Sequence, residues 1–289
     1  MASPSSPPSS IASSPARRLG PEDFAIFETF VVPRYLSMFA ERVLDMLVKG
    51  SDARVCHVHC RTGYPDRTLL EKLPGAHVFG CDGSEHAIEL ARAKASMIQR
   101  KSPGSAFDYR VVETLPLPFP AGAFSHAYTL HPLCAPAERE RLLKELARLV
   151  APRGQALLAM PLRGSFLEIA DLLREYALKF ERTDLTNAIE AAVQLRPTED
   201  TMVRELENVG FELVEVDMRP RTLKFENGRA VFEDPITRLL LLPEFKLNLA
   251  QGELTEPFNY VRETIDKYWS DGTFELTVNV GVVAGRRKA

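Results

Sequence analysis

The fold is decided first by an apolar run and the loop after it, Val55-Cys56-His57-Val58-His59-Cys60-Arg61-Thr62-Gly63. A short apolar run that ends at a turn is typical of a buried strand. Apolar residues then recur at helical spacing from Arg67 to Leu73. The sequence therefore predicts a strand, a loop and a helix in that order.

The same alternation continues along the chain. Further strands are predicted over 76–81, 107–112, 123–128, 155–160, 211–218 and 274–283, and further helices over 84–99, 136–150, 166–180 and 198–208. Repeated βα units imply a parallel sheet that helices cover on both faces. The chain is therefore predicted to be an α/β protein.

Three segments lie outside this alternation. Residues 1–20 are rich in Ser and Pro and predict a disordered tail, which leaves 21–289 as one domain. Apolar residues at helical spacing around Pro33 predict a helix, a break and a second helix over 24–48. The excursion 219–271 is too long for a turn, so we expect a lid over the carboxyl ends of the strands or a partner surface.

Composition excludes several classes of protein. The chain has 289 residues, of which 45% are hydrophobic and 26% are charged, and its net charge is -3. A dedicated nucleic-acid binder would need a basic face, and a membrane protein would need a long apolar span. Four cysteines without paired spacing predict reduced thiols and a cytoplasmic location. The expected partners are therefore a protein or a small molecule.

The quoted loop resembles that of the class I S-adenosylmethionine-dependent methyltransferases, type 11-like. In that family the first strand and loop follow the pattern apolar-apolar-acid-apolar-Gly-x-Gly-x-Gly. On this pattern His57 replaces the acid, His59 and Arg61 replace two glycines, and Gly63 is retained. Glycine lets a loop adopt positive φ and approach a ligand closely, whereas imidazole and guanidinium groups add bulk and charge.

The resemblance extends from about Phe27 to the end of the chain and implies a Rossmann-like class I methyltransferase fold. Such a fold has a seven-stranded, mostly parallel sheet with helices on both faces. The strand that begins near Phe274 would then be antiparallel, at one end of the sheet and beside the strand that begins near Phe211. S-adenosylmethionine would be the cofactor if the protein is active.

Two further acids match the family pattern. Asp82 ends the stretch Val78-Phe79-Gly80-Cys81-Asp82, which resembles the second strand, where an acid accepts the ribose hydroxyls of the cofactor. Asp82 is equally able to cap the following helix. Glu113 precedes Leu115-Pro116-Leu117-Pro118-Phe119 and takes the place of an acid that binds the adenine amino group. The alternative is that these prolines only stiffen a connector.

His131 is the natural candidate for a general base, and its alternative role is that of a polar residue at a strand end. A metal site would need His57 and His59 on one strand face, with Cys60, Cys81, His126 or His131 nearby, but this spacing is not a recognised zinc signature. We therefore predict no metal. A nicotinamide dinucleotide site would need three glycines where the loop has one.

Two functions remain open. Three changes in one loop favour a pseudoenzyme, a methyltransferase-fold protein with a degraded cofactor site that serves as a binding or regulatory scaffold. A histidine in the acid position would also place a neutral or cationic group near the cofactor's ammonium. The alternative is an active methyltransferase that acts on a small molecule, because Asp82 and Glu113 are retained.

Overall fold

The structure is a computed structural model that describes residues 9–10, 19–50, 52–100, 104, 106–249 and 253–289. Most of the predicted tail lies outside the described residues. Within it, β1 (Ser9–Ser10) pairs antiparallel with β5 (Thr114–Leu115). None of the described helices is both long enough and apolar enough to span a bilayer.

A seven-stranded sheet forms the centre of the protein. Its strands are β2 (Arg54–Val58), β3 (His77–Asp82), β4 (Ala106–Val111), β6 (Phe124–Leu130), β7 (Val150–Pro161), β8 (Phe211–Phe225) and β9 (Phe274–Arg287). They lie in the order β4-β3-β2-β6-β7-β9-β8 across the sheet. The pairs from β4 to β7 are parallel, and β9 is antiparallel to both of its neighbours. The predicted Rossmann-like, mostly parallel sheet is therefore confirmed. The strand β9 lies beside β8 as expected, but its expected position at one end of the sheet is wrong, because β9 pairs with both β7 and β8 and leaves β8 as the edge strand.

Helices connect and cover these strands. They are α1 (Pro21–Ile26), α2 (Ser37–Met46), α3 (Asp66–Lys72), α4 (Glu85–Gln99), α5 (Pro136–Leu149), α6 (Leu167–Lys179), α7 (Thr183–Leu195), α8 (Glu199–Asn208), α9 (Gly228–Glu233), α10 (Leu242–Leu249) and α11 (Thr255–Tyr268). There are also two π-helical segments. One joins α1 to α2 over Phe27–Leu36, and the other leads into α10 over Thr237–Leu241. Helix α7 was not predicted from the sequence pattern.

The expected break at Pro33 is wrong. Helical structure runs without interruption from Pro21 to Met46, and Pro33 lies inside the π-helical segment. Proline lacks the N–H that an α-helix needs and its ring clashes with the preceding turn, so a locally wider turn accommodates it without ending the helix. We call residues 21–46 the lead-in helix.

The excursion before the last strand begins later than expected. The β8–β9 pairing continues to Phe225 and Phe274, so 219–225 belong to the sheet and the helical part follows Phe225. Leu239, Leu240 and Leu241 are buried in the main core. Helix α10 brings Glu244 to 3.4 Å from His131, directly after β6. One part of this segment therefore reaches the carboxyl ends of the strands.

Candidate functional site

The loop after β2 has the backbone of a glycine-rich loop although most of its glycines are missing. His59, Arg61 and Gly63 have φ values of 55, 47 and 75°. Positive φ is uncommon outside glycine, so contacts around the loop must hold His59 and Arg61 in this conformation. A Cβ on Gly63 would lie 2.8 Å from the Tyr109 hydroxyl. Packing against Tyr109 therefore explains the retained glycine without a ligand.

His57 lies in a buried polar cluster instead of facing the loop. Its Nδ1 is 2.9 Å from Asp66 Oδ1, and its ring stacks on Tyr128 with centroids 4.2 Å apart. The Tyr109 hydroxyl donates to Asp66 Oδ2 at 2.6 Å, and the Tyr128 hydroxyl donates to Oδ1. These four residues form what we call the Asp66 cluster.

The Asp66 carboxylate is fully buried but well paired. Burial alone would raise the pKa of this carboxyl, but His57 and the three donated hydrogen bonds outweigh burial and lower it. Asp66 could not be predicted as a site residue, because nothing in its neighbourhood marks a lone acid at the start of α3 as the partner of His57. The neutral or cationic group that was expected to face a cofactor is therefore an imidazole that faces an internal carboxylate.

Arg61 bridges the loop after β2 to the end of β6. Its guanidinium donates to the carbonyl oxygens of Leu130 and His131, each at 2.7 Å. It also lies 5.8 Å from the ring of Phe27 in the lead-in helix. Burial lowers the pKa of Arg61, and Asp82 partly offsets this. Arginine remains charged in proteins, so a cation lies across this edge of the sheet.

The two acids that match the family pattern lie in different surroundings. Asp82 ends β3, where its Oδ2 accepts the backbone N–H of Arg61 and its Oδ1 accepts that of Ser84, both at 3.0 Å. Asp82 therefore holds the loop after β2 and the turn before α4. Glu113 is exposed and makes no hydrogen bond or ion pair with any described residue. The neighbouring Val112 N–H donates to the carbonyl oxygen of Asp82 at 2.8 Å, but no hydrogen bond joins the Glu113 and Asp82 side chains.

The lead-in helix also fastens this loop. The Thr62 hydroxyl donates to Glu28 Oε1, and the same carboxylate accepts two hydrogen bonds from Lys94 Nζ at 2.9 and 2.8 Å. Thr62 is fully buried. The loop is therefore clamped between the lead-in helix and α4.

His131 follows β6 and is 1% exposed. Its ring stacks on Phe39 and meets Tyr35 edge-on, with centroids 5.6 and 5.5 Å apart. Its Nε2 lies 3.4 Å from Glu244 Oε2, and Glu244 Oε1 accepts a hydrogen bond from Arg196 at 2.9 Å. Burial lowers the pKa of His131, which keeps the imidazole neutral near pH 7 and leaves one ring nitrogen able to accept a proton. A role as general base stays a prediction.

The histidines proposed as metal ligands point to separate partners. The strand ends at Val58, so the positive φ of His59 interrupts the alternation that would place His57 and His59 on one face. His126 Nε2 lies 2.9 Å from the carbonyl oxygen of Val48. Within the described part of the chain, no three His, Cys, Asp or Glu side chains group as metal ligands would. All four cysteines are free thiols.

Acid should destabilise the fold through His59. Burial lowers the pKa of His59 from 6.5 to about 4, although the Asp82 carboxylate opposes this and Arg61 and His57 add to it. A histidine with a lowered folded pKa stabilises the fold fully above pH 6.5, and this contribution is lost as the pH falls toward 4. We expect the free energy of unfolding to fall across this window by up to about 1.4 kcal/mol per pH unit for one proton.

Urea unfolding at several pH values measures this dependence. His59→Asn should flatten the slope between pH 6.5 and 4, because asparagine tolerates positive φ and does not titrate. The matched control is His77→Asn, which alters an exposed imidazole at the start of β3. An unchanged slope in His59→Asn would assign the acid sensitivity to other groups.

Comparisons with known proteins agree with this architecture. A family model described as a methyltransferase domain matches residues 55–154. A demethylmenaquinone methyltransferase from Thermus thermophilus is 31% identical over 114 residues, which cover 39% of this chain and 50% of that protein. A malonyl-[acyl-carrier protein] O-methyltransferase from Halorhodospira halophila is 30% identical over 145 residues, which cover 47% of each chain. The chain spans about half the length of these curated relatives.

The structural comparison covers more of the chain than the sequence comparisons do. The crystal structure of the YcgJ protein from Bacillus subtilis superposes with a TM-score of 0.53 and 12% identity, and covers 88% of this chain and 99% of that one. At that identity the likeness concerns the fold alone. Residues 55–154 therefore match a methyltransferase domain, and the seven-stranded sheet has the Rossmann-like fold of the class I methyltransferases.

Proposed function

We propose that this protein is a methyltransferase-fold scaffold that binds a small molecule or a protein partner and does not take up S-adenosylmethionine as an active enzyme does. The observation that carries the proposal is the position of Arg61. Its guanidinium is hydrogen-bonded to the carbonyl oxygens of Leu130 and His131 at the edge of the sheet where open α/β folds bind their ligands.

The hydrogen bonds of Arg61 determine how much this residue would weaken cofactor binding. A hydrogen bond to a charged group contributes about 1.5–3 kcal/mol, so displacing two of them costs about 3–6 kcal/mol. Binding with a Kd of 1 μM corresponds to about -8 kcal/mol. A cofactor that had to move Arg61 would therefore bind about 100- to 10,000-fold more weakly than in a site that is open from the start.

The acid that the family pattern requires is also missing from the end of β2. His57 takes its place and is paired with Asp66, whose carboxylate is fully buried and accepts three hydrogen bonds. Asp66 is therefore already occupied by internal donors and has no free surface for a ligand's ammonium. These residues do not fit the methionine part of the cofactor in the arrangement that the structure describes.

The second candidate function, an active methyltransferase, is favoured by Asp82. This half-buried acid lies at the carboxyl end of β3, the place from which the family's acid accepts ribose hydroxyls. The curated relatives are also methyltransferases. In an active enzyme S-adenosylmethionine would supply the methyl group, and the neutral imidazole of His131 could take a proton from the substrate. Arg61 would then have to leave its carbonyl partners.

Thermal unfolding with ligand tests the proposal. A ligand raises the melting temperature according to its occupancy of the folded state, so about 0.1 mM S-adenosylmethionine or S-adenosylhomocysteine should raise the wild-type Tm by no more than about 1 °C. The matched control is Asp82→Asn, which keeps the side-chain shape and removes the charge. A Tm increase of several degrees in the wild type that Asp82→Asn abolishes would instead support the active methyltransferase.

A further inference from the structure

Four buried polar side chains from distant parts of the chain meet beyond the end of β6. Tyr35 comes from the lead-in helix, His131 follows β6, Arg196 follows α7, and Glu244 belongs to α10. Their exposed fractions are 0, 1, 7 and 8%. Arg196 Nη2 donates to Glu244 Oε1 at 2.9 Å, and His131 Nε2 lies 3.4 Å from Glu244 Oε2. We call this group the Glu244 cluster.

The Glu244 cluster contains more hydrogen-bonding atoms than its own members satisfy. Tyr35 Oη, His131 Nδ1, Arg196 Nε and Glu244 Oε2 have no hydrogen-bond partner among the described residues. Buried polar atoms are almost always paired, because an unpaired one loses its hydration without compensation. Four such atoms in one place point to a ligand that pairs with them.

The geometry at Arg196 indicates the chemistry of that ligand. A guanidinium group presents Nε and Nη2 as a planar fork that matches the two oxygens of a carboxylate. Glu244 uses only Nη2 and leaves Nε unpaired. A carboxylate that approached without the constraint of a helix backbone could bond to both atoms. The site therefore suits a carboxylate better than Glu244 does.

Charge leads to the same conclusion. Burial would raise the pKa of the Glu244 carboxyl, but Arg196 and His131 lower it to about 2, so Glu244 is ionised at neutral pH. Burial raises the pKa of Tyr35 and lowers the pKa of His131, and the nearby Arg196 and Arg61 cations act to lower both pKa values. Without Glu244 the cluster would contain the Arg196 cation, with the Arg61 cation beside it, and no anion. It therefore requires one negative charge, which Glu244 supplies.

The walls of the cluster are aromatic. The Arg196 guanidinium lies 4.9 Å from the Phe166 ring centroid and 5.8 Å from that of Phe245. His131 stacks on Phe39. Aromatic walls around a carboxylate fork favour a ligand with a flat apolar body.

We propose that the Glu244 cluster is a binding site for a small aryl carboxylate and that the Glu244 carboxylate occupies this site when no ligand is bound. The ligand's carboxylate takes the Nε and Nη2 atoms of Arg196. The cavity beside Arg196, Phe166 and Phe245 is only about 10 Å³, so the ligand's ring takes the space that α10 leaves when Glu244 withdraws. Glu244 is thereby an internal competitor that keeps α10 closed over the site. This proposal rests on the proposed scaffold function, because it names the class of small molecule that the scaffold binds. The benzoate measurement itself does not depend on whether the loop after β2 binds the cofactor.

Benzoate is the probe that tests this inference, with benzamide as its neutral counterpart. Calorimetric titration in the absence of S-adenosylmethionine should give at least about tenfold tighter benzoate binding to Glu244→Gln than to the wild type, because the competitor loses its charge. Benzamide should bind neither protein measurably. Arg196→Met in the Glu244→Gln background should abolish benzoate binding.

A second measurement covers the case in which Glu244→Gln does not fold. Saturation-transfer NMR on the wild type should detect benzoate at millimolar concentration and should not detect benzamide. Equal affinity for benzamide and benzoate, stronger binding of inorganic phosphate, or no benzoate signal with folded protein would each overturn the proposal. Cofactor binding by the wild type would contradict the scaffold function without changing the benzoate result, so the two failures are distinguishable.

Discussion

Asp66→Asn is expected to lower the free energy of unfolding by about 3–5 kcal/mol, the range for removing one partner of a buried charged pair. The carboxylate is fully buried and accepts hydrogen bonds from His57, Tyr109 and Tyr128. An amide in its place offers only one acceptor oxygen. Its NH2 group would point two N–H donors toward imidazole and hydroxyl groups that are themselves donors. Urea unfolding with linear extrapolation measures the change.

The matched control is Asp45→Asn, because Asp45 is a half-exposed aspartate whose partners are the surface cations Arg42 and Lys72. Surface ion pairs contribute little, so this change should cost less than about 1 kcal/mol. A double-mutant cycle with His57→Asn should show non-additive losses, since the two residues share one hydrogen bond. Equal costs for Asp66→Asn and Asp45→Asn would contradict the structural role of the Asp66 cluster.

The combined substitution of His59→Gly and Arg61→Gly is expected to raise the affinity for S-adenosylhomocysteine at least about 100-fold, since it removes the contacts worth about 3–6 kcal/mol. Both positions already have positive φ, with values of 55 and 47°, so glycine fits the existing backbone without strain. The measurement is the ligand-induced shift in Tm over a range of ligand concentrations.

His57 is left unchanged in this variant. His57→Asp would place a second carboxylate beside Asp66, and two buried like charges at that distance destabilise the fold. Arg61→Lys is the matched control, because it keeps the charge and most of the bulk and should gain no affinity. Adding Asp82→Asn to the glycine variant should remove the gain. Similar weak binding by the glycine variant and Arg61→Lys would show that Arg61 is not the obstacle.

The alternation of strands and helices was predictable because it depends on local periodicity. The apolar run at β2 and the amphipathic stretch at α4 each carry their pattern within a few residues. Pro33 misled the prediction because its usual effect on an α-helix does not apply inside a π-helical segment. The late start of the helical excursion depends on pairing between Phe225 and Phe274, which are far apart in the sequence.

Site residues could be predicted from the sequence only where they lie within one short motif. Asp82 lies at the end of β3 as the pattern indicated, and Gly63 has the expected positive φ. The partners that determine the chemistry come from elsewhere. Asp66 meets Tyr128, and Arg196 meets Glu244, across sequence separations of 62 and 48 residues. No periodicity links such positions, so only the folded structure brings them together.

Calorimetric titration of the wild-type protein with S-adenosylhomocysteine is the most direct test of the central claim that Arg61 keeps the cofactor out. We predict a Kd no tighter than about 0.1 mM, which corresponds to a binding free energy of about -5.5 kcal/mol or weaker. A Kd near 1 μM for the unmodified chain would mean that Arg61 leaves its carbonyl partners readily, and it would contradict the account.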